Sequence, residues 1–229
     1  MSKKILIIEP HSDDGIIGAG GYLLKKKNNS KMYFLLIACS NMNLNHMKDT
    51  QRNIRINEFK NYVNYFNGEM IEKIGGFKLP LEHEAHLDMY PRHDLVKIIE
   101  KTINSVKPDT VLVSGISFHH DHRAVYEATI AAMRPTSLFF PNQILIYENP
   151  TYVHSTDPFS NFKGNHYEIL NEEQVDVKIK IFRDLFPSQI RESDNYLSPK
   201  SIKSWAKYRG MEARTNYAEA FQIYMNRSL

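Results

Sequence analysis

Short apolar runs alternate with amphipathic stretches along most of this chain. The apolar runs predict buried strands at residues 4–9, 32–38, 109–114 and 143–147, with shorter strands near 70–71 and 167–170. The amphipathic stretches predict a first helix ending near residues 25–27, and further helices at 50–66, 95–103, 124–133, from 171 and from 198–199. Continuously apolar strands are typical of parallel sheets with helices on both faces. The pattern therefore predicts an α/β fold, a single Rossmann-like three-layer domain with a mainly parallel sheet over residues 1–229.

Polar side chains cluster directly after two of the predicted strands. His11, Asp13 and Asp14 follow the first strand, and residues 119–122 follow the strand at 109–114. Ligands bind beyond the carboxyl ends of strands in open α/β sheets, so we expect one shared site, with strands 4–9 and 109–114 as neighbours. Imidazole nitrogens and carboxylate oxygens are typical zinc ligands. The alternative for Asp13 and Asp14 is that they only cap the following helix.

These clusters and several other motifs resemble one enzyme family. The sequence contains His-x-Asp-Asp at 11–14, Gly-Gly at 20–21, Arg-x-x-Glu at 55–58, Lys-Pro-Asp at 107–109 and His-x-Asp-His-Arg at 119–123. It thereby resembles the zinc-dependent N-deacetylases typified by PIG-L and LmbE-like proteins, and the likeness continues at 187–189 and 217–221. The family's usual His-Pro-Asp-Asp-Glu motif differs here at Ser12 and Gly15. The missing glutamate bears on hydrogen bonding around the metal and on substrate choice.

The resemblance implies a hydrolase that removes an N-acetyl group from an amino sugar or its conjugate by attack of a metal-bound water. The implied cofactor is Zn²⁺, with another divalent metal as the alternative, and the implied metal ligands are His11, Asp14 and His122. Asp13 and His119 match the family's acid-base residues. Asp13 would take the proton of the water, and a protonated His119, oriented by Asp121, would help to hold the oxyanion.

Arg55 is the residue that the resemblance implies for substrate binding. Its guanidinium would reach a polar group of the substrate; the alternative is an ordinary salt bridge with Glu58, one helical turn away. Loops at residues 40–49, 74–90 and 150–165 are expected to line the substrate cleft. The middle loop contains histidines and carboxylates, and we interpret it as a cleft wall rather than a second source of metal ligands.

Two other functions remain as alternatives. Gly18, Gly20 and Gly21 follow a strand, as in a Rossmann-like nucleotide-binding protein. However, the Gly-x-Gly spacing begins too many residues after that strand, and the preceding carboxylates would repel a pyrophosphate. A metal-binding pseudoenzyme of the same fold would keep the ligands without turnover, and Gly15 makes this conceivable.

Charge, apolar runs and cysteine content indicate which binding partners and which cellular location to expect. The formal net charge is only +3, which does not favour nucleic-acid binding, so the expected partner is a small N-acetylated molecule; a homo-oligomer stays open. No apolar run approaches the roughly twenty residues that span a bilayer, and no signal-peptide core is visible. Cys39 is the only cysteine, so no intramolecular disulfide can form. Together these features predict a cytoplasmic protein without a membrane span.

Overall fold

The computed structural model describes residues 2–43, 49–150, 162–191 and 195–227. Within these ranges the strands are β1 Lys3–Glu9, β2 Ser30–Leu36, β3 Glu69–Met70, β4 Lys73–Ile74, β5 Phe77–Lys78, β6 Thr110–Ser114, β7 Gln143–Tyr147, β8 His166–Leu170 and β9 Tyr217–Asn226. The helices are α1 Asp14–Lys26, α2 Arg52–Tyr65, α3 Arg92–Val106, α4 His120–Ala132, α5 Glu172–Leu185 and α6 Pro199–Glu212. None of these helices is both long and apolar enough to cross a membrane.

The main sheet places the two polar clusters side by side. Its strand order is β3-β2-β1-β6-β7-β9-β8, and β4 and β5 form a separate antiparallel pair. Strand β1 pairs in parallel with both β2 and β6, with Ile5 opposite Thr110 and Ile8 opposite Val113. The predicted neighbourhood of the strands at 4–9 and 109–114 is therefore confirmed. Strand β9 alone runs against the others in this sheet, inserted between β7 and β8.

Alternate residues of the central strands face two separate apolar layers. Ile5 and Ile7 point into one layer, which packs against residues of α1, α2, α5 and α6. Leu6 and Ile8 point into the other layer, which packs against α3 and α4. Because both faces of the sheet are covered, its strands must be apolar on both sides, as the continuous runs indicate. The predicted three-layer α/β class with a mainly parallel sheet is confirmed, and the single domain over 1–229 stays a prediction.

Two predicted helix caps are confirmed, and two predicted helix starts are wrong. Helix α4 begins at His120 rather than at Ala124, so Asp121 and His122 lie in its first turn and not in the preceding loop. Asn171 caps α5 with a reciprocal capping box, and Ser198 caps α6 through its side chain, as expected. Helix α2 was expected to begin after Asp49 and Thr50, but its cap position is Gln51. Thr50 instead exchanges two backbone hydrogen bonds with Met42, which holds it in extended conformation. Strand β9 was not predicted, because its pairing with β7 and β8 joins segments that are distant in sequence.

Candidate metal centre and cavity

Three side chains from the two polar clusters bring their donor atoms together where β1 and β6 end. Nδ1 of His11 and Nε2 of His122 are 3.3 Å apart. Oδ1 of Asp14 is 3.3 Å from that Nε2, and Oδ2 of Asp14 is 3.5 Å from that Nδ1. Ligands about 2.0–2.1 Å from a tetrahedral ion are separated by about 3.3–3.4 Å. The donor atoms of the predicted ligand set are therefore close enough together to surround a small divalent metal.

Further contacts orient each of these donors. The other ring nitrogen of His11, Nε2, lies 2.8 Å from Oδ2 of Asp121, and Nδ1 of His122 lies 3.3 Å from the Ser114 hydroxyl. Asp14 accepts hydrogen bonds from the His11 backbone N–H at 2.8 Å and from the Asn149 amide at 2.5 Å. A histidine whose second nitrogen is held by a carboxylate is a common arrangement behind metal ligands. These contacts leave Nδ1 of His11 and Nε2 of His122 facing the candidate metal position.

Burial and close charges shift the pKa values of the metal-free site in opposite directions. Burial alone would raise the pKa of Asp14, but His122 and His11 lower it to about 2. Burial opposes a charge on His11, yet the hydrogen bond to Asp121 and the charge of Asp14 raise the pKa of His11 to about 9. Without metal the site therefore holds an anionic Asp14 beside a cationic His11, and a metal ion would displace the proton of His11.

Asp13 stands at the N-cap position of α1 with its side chain half-buried at the cavity. Its carboxylate makes no capping hydrogen bond, and that of Asp14 accepts from His11 and Asn149 instead. The alternative that these aspartates only cap the helix is therefore wrong. Burial, with the charge of Asp14 added to it, raises the pKa of Asp13 to about 6. Such a carboxylate is a better proton acceptor than an exposed aspartate and is still ionised at neutral pH.

His119 differs from the expectation in its protonation. Burial and the neighbouring His11 and His122 lower the pKa of His119 to about 4, so its ring is neutral at pH 7. Nδ1 of His119 accepts the backbone N–H of Asp121 at 3.2 Å, which places the ring proton on Nε2. The Asp121 carboxylate contacts Nε2 of His11 at 2.8 Å, and it is the Asp121 backbone N–H that contacts the His119 ring. A neutral His119 can still donate one hydrogen bond.

A cavity of about 470 Å³ lies beside the candidate metal ligands. Its volume is within the usual range for small-molecule sites. Its lining includes catalytic candidates and polar groups from four loops: His11, Asp13, Asp14, Asn41, Arg55, Glu84, His119, Asn149, Gln189 and Tyr196. Residues 41–43 and 84–86 belong to loops expected to form the cleft, which is confirmed. Residues 44–48 of the first loop and 151–161 of the 150–165 loop lie outside the described residues.

Arg55 lines this cavity but pairs with a residue that the sequence did not suggest. Its guanidinium makes a fork of two hydrogen bonds with the Glu84 carboxylate, and it also donates to the Ser40 carbonyl at 2.9 Å. The alternative salt bridge with Glu58 is wrong, since Glu58 accepts the Ser188 backbone N–H at 3.0 Å, 130 residues away. Arg55 is 2% exposed, so any contact with a substrate would come from the buried wall of the cleft.

The segment after Glu84 ties the cleft wall to the metal centre. Backbone N–H groups of Ala85 and Leu87 donate to the two oxygens of Asp121, at 2.6 and 2.9 Å. The backbone segment after Glu84 therefore links Glu84 to Asp121 and, through the Asp121 carboxylate, to His11. We did not predict this link, because the irregular segment has no periodicity from which its partners could be derived.

Two other residues of the site could have been found from the strand pattern. Asn149 follows β7, and Ser114 ends β6, so both lie at the same carboxyl edge of the sheet as the histidines. The rule that located the polar clusters applies equally to them. Their side chains are short and uncharged, and for that reason they did not stand out.

The glycines of α1 pack against the sheet. A Cβ at Gly18 would lie 2.5 Å from the Glu148 carbonyl oxygen, and one at Gly21 would lie 2.8 Å from Cδ2 of Leu170 and nearer still to its Cδ1. The N–H of Gly21 donates to the buried carboxylate of Glu219 at 2.7 Å, so it does not face a ligand. These contacts explain the glycines without a phosphate and argue against the nucleotide-binding alternative.

Comparison with known families identifies the class of protein. Residues 6–133, more than half of the chain, match the PIG-L family model, described as GlcNAc-PI de-N-acetylase. The chain belongs to the PIG-L family. The matched range contains both polar clusters, and the membership confirms the prediction of an N-deacetylase of this family. No curated protein matches the sequence.

Solved structures with this fold include proteins of more than one activity. The N,N'-diacetylchitobiose deacetylase of Pyrococcus horikoshii is 20% identical, with a TM-score of 0.66 and coverage of 96% of this chain and 83% of that one. GalB of Pseudomonas putida KT2440, a 4-carboxy-2-hydroxymuconate hydratase, is 16% identical, with a TM-score of 0.70 and coverage of 99% and 98%. A zinc-inhibited form of the teicoplanin deacetylase Orf2 is 15% identical, with a TM-score of 0.70 and coverage of 96% and 97%. At these identities the likeness concerns the fold.

Proposed function

We propose that this chain is a metal-dependent hydrolase that removes the N-acetyl group of an amino sugar or a small amino-sugar conjugate. The observation that carries the proposal is the spacing of the donor atoms of His11, Asp14 and His122, 3.3–3.5 Å apart at the floor of the cavity. Asp13 stands beside them with a pKa raised to about 6 by burial and by Asp14. Three protein donors, a neighbouring proton acceptor and an open cavity together fit a catalytic metal site better than a closed structural one.

We propose zinc as the metal, held by His11, Asp14 and His122. The two imidazole nitrogens and one carboxylate are donors that zinc prefers, and they lie close enough together to bind one ion. A bound divalent cation lowers the pKa of water and polarises a carbonyl. Because one structural neighbour is described as a zinc-inhibited form, zinc should be compared with cobalt, manganese and iron at graded concentrations rather than assumed to be optimal.

The residues of the chain would divide the proton transfers between them. Asp13 takes a proton from the attacking water as the new C–O bond forms, and then delivers it to the departing amine nitrogen as the amide C–N bond breaks. Neutral His119 donates its Nε2–H to the carbonyl oxygen as negative charge develops there. The Asp121 carboxylate acts on the metal centre through its contact with His11. The products are acetate and a free amine.

The substrate class rests on the family and on the lining of the cavity. The neighbouring deacetylases act, by their names, on diacetylchitobiose and on teicoplanin, which supports an N-acetylated amino sugar as the reacting group. Asn41, Gln189 and Tyr196 supply polar side chains at the cavity wall, as a hydroxylated sugar requires. Arg55 is already paired with Glu84, so we propose that it positions this wall and contacts the substrate from within the pair.

The deciding experiment measures amine release from a panel of N-acetylated amino sugars, nucleotide sugars and glycosides. The purified protein is stripped with chelator and reloaded with each of the four metals. We expect activity with at least one metal and none with Asp14→Ala, whose metal site lacks its carboxylate. A metal-loaded protein that releases no amine from any member of the panel would instead support the pseudoenzyme alternative.

A further inference from the structure

Glu9 is a buried carboxylate for which the proposed reaction has no use. It ends strand β1, two residues before His11, and is fully buried. Its Oε2 accepts the backbone N–H of Gly15 at 2.7 Å. Gly15 is the second residue of α1, and the N–H groups of a first helical turn have no partner within the helix. Glu9 therefore satisfies one of these groups from outside the helix.

The residue that would ordinarily do this is Asp13. An aspartate at the N-cap position usually accepts the N–H of the second or third helical residue with its own side chain. Asp13 occupies that position, yet it makes no such bond. The N–H of the second residue is already taken by Glu9. The carboxylate of Asp13 instead lines the cavity.

The present position of Glu9 requires a glycine at position 15. A Cβ on residue 15 would lie 2.5 Å from both the carboxyl carbon and Oε2 of Glu9, so any side chain there would displace this carboxylate. The glutamate that the family motif usually has at position 15 could not coexist with Glu9 in its present place. The carboxylate of Glu9 thus occupies the space that a side chain at position 15 would need.

We propose that Glu9 caps helix α1 from strand β1 and thereby keeps the Asp13 carboxylate available to the cavity. Glu9 is a positioning residue, since it acts on the reaction only through Asp13. The kinetic part of the test rests on the proposed function, whereas the stability part uses the metal-free protein and does not.

The stability of metal-free variants tests the cap directly. In wild type, Asp13→Ala should leave the Tm unchanged or raise it, because Asp13 caps nothing and faces the like charge of Asp14. In Glu9→Ala, Asp13 is expected to turn back onto the Gly15 N–H, so adding Asp13→Ala should lower the Tm by about 2–4 °C. In Glu9→Gln, whose amide oxygen can still accept this N–H, Asp13→Ala should behave as in wild type. An equal effect of Asp13→Ala in all three backgrounds would overturn the proposal.

Kinetics and metal analysis supply the second test, in the full-length metal-loaded protein. Glu9→Ala should lower kcat by at least about tenfold, with KM and metal content nearly unchanged, because the base is misplaced while the ligands remain. Glu9→Gln should recover most of kcat. Gly15→Ala, which keeps the carboxylate but displaces it, should reproduce Glu9→Ala. The proposal fails if Glu9→Gln is as impaired as Glu9→Ala, or if Gly15→Ala is fully active. Absence of turnover in wild type would reject the proposed function and leave the stability test to decide on the cap.

Discussion

His11 and Asp121 are 110 residues apart in sequence, yet Nε2 of His11 lies 2.8 Å from Oδ2 of Asp121 and both side chains are buried. The same carboxylate accepts the backbone N–H groups of Ala85 and Leu87. Three parts of the chain therefore meet at one carboxylate behind the candidate metal centre. This contact sets which nitrogen of His11 faces the metal position, so it should matter for metal binding even though Asp121 is not a proposed ligand.

Replacing Asp121 by Asn should weaken metal binding by about 10- to 100-fold, because a neutral amide orients and polarises the His11 ring less well than a carboxylate. Competition with a chelating dye measures the affinity. The matched control is Asp88→Asn, an exposed aspartate of the same cleft-wall segment, which should leave the affinity unchanged. Unchanged affinity in Asp121→Asn would show that the buried contact does not support the metal.

Metal affinity should depend on pH through His11. Burial disfavours its charged ring, but Asp121 and Asp14 raise the pKa of His11 to about 9, so below this pH a proton must leave before Nδ1 can bind a cation. Affinity should therefore rise with pH towards 9, by up to about tenfold per pH unit. The pKa of Asp14, lowered to about 2, means that Asp14 contributes no proton. Calorimetry in two buffers at pH 7 should show release of about one proton; release of none would contradict this assignment.

Variants of the adjacent aspartates should separate base from ligand. Asp13→Asn should retain the metal and lower kcat by about 10²- to 10⁴-fold, the usual contribution of general acid-base catalysis, with a smaller change in KM. Asp14→Asn should lose metal and activity together and recover part of both at high zinc concentration. Metal analysis beside amine-release kinetics measures both effects. Wild-type turnover in Asp13→Asn would transfer the role of base to another group, with His119 next in position.

The pair between Arg55 and Glu84 should stabilise the cleft wall. Glu84→Gln leaves the buried Arg55 guanidinium without an anionic partner, and the loss of stability should be somewhat less than the roughly 3–5 kcal/mol found when fully buried pairs are broken. We expect a smaller loss of stability than for a fully buried pair because the Glu84 side chain is 17% exposed. Urea unfolding measures the loss. Glu82→Gln is the control, since Glu82 is exposed and lies 3.5 Å from Arg52; equal losses in both variants would argue against a special role for the buried pair.

Gly18 should be required for packing. Gly18→Ala would place a Cβ 2.5 Å from the Glu148 carbonyl oxygen, which cannot move without displacing the end of β7, so we expect a loss of about 1–3 kcal/mol. Gly115→Ala is the matched control, because its nearest contacts would be 3.4 Å, an ordinary separation. Its stability should stay within about 0.5 kcal/mol of wild type. Thermal unfolding of both variants measures the difference, and a fully stable Gly18→Ala would contradict the packing role.

The sequence by itself determined the fold class, the central strands and the place of the site. Apolar runs such as Ile5 to Ile8 show directly that both faces of a strand are buried, and this pattern is local. The caps at Asn171 and Ser198 are likewise set by residues three or four positions apart. His11 and His122 could be brought together because both follow buried strands, and parallel strands share a carboxyl edge.

Only the tertiary structure decided which side chains support that site. Arg55 pairs with Glu84 rather than with Glu58, the Asp121 carboxylate with His11, and Gly15 with Glu9. Each of these contacts depends on where an irregular loop or the end of a strand passes over the sheet edge. Periodicity and spacing describe a residue's own element and its buried face, but a hydrogen bond between distant segments depends on their positions in space. Those positions follow from the packing of the whole chain, and no short stretch of sequence specifies them.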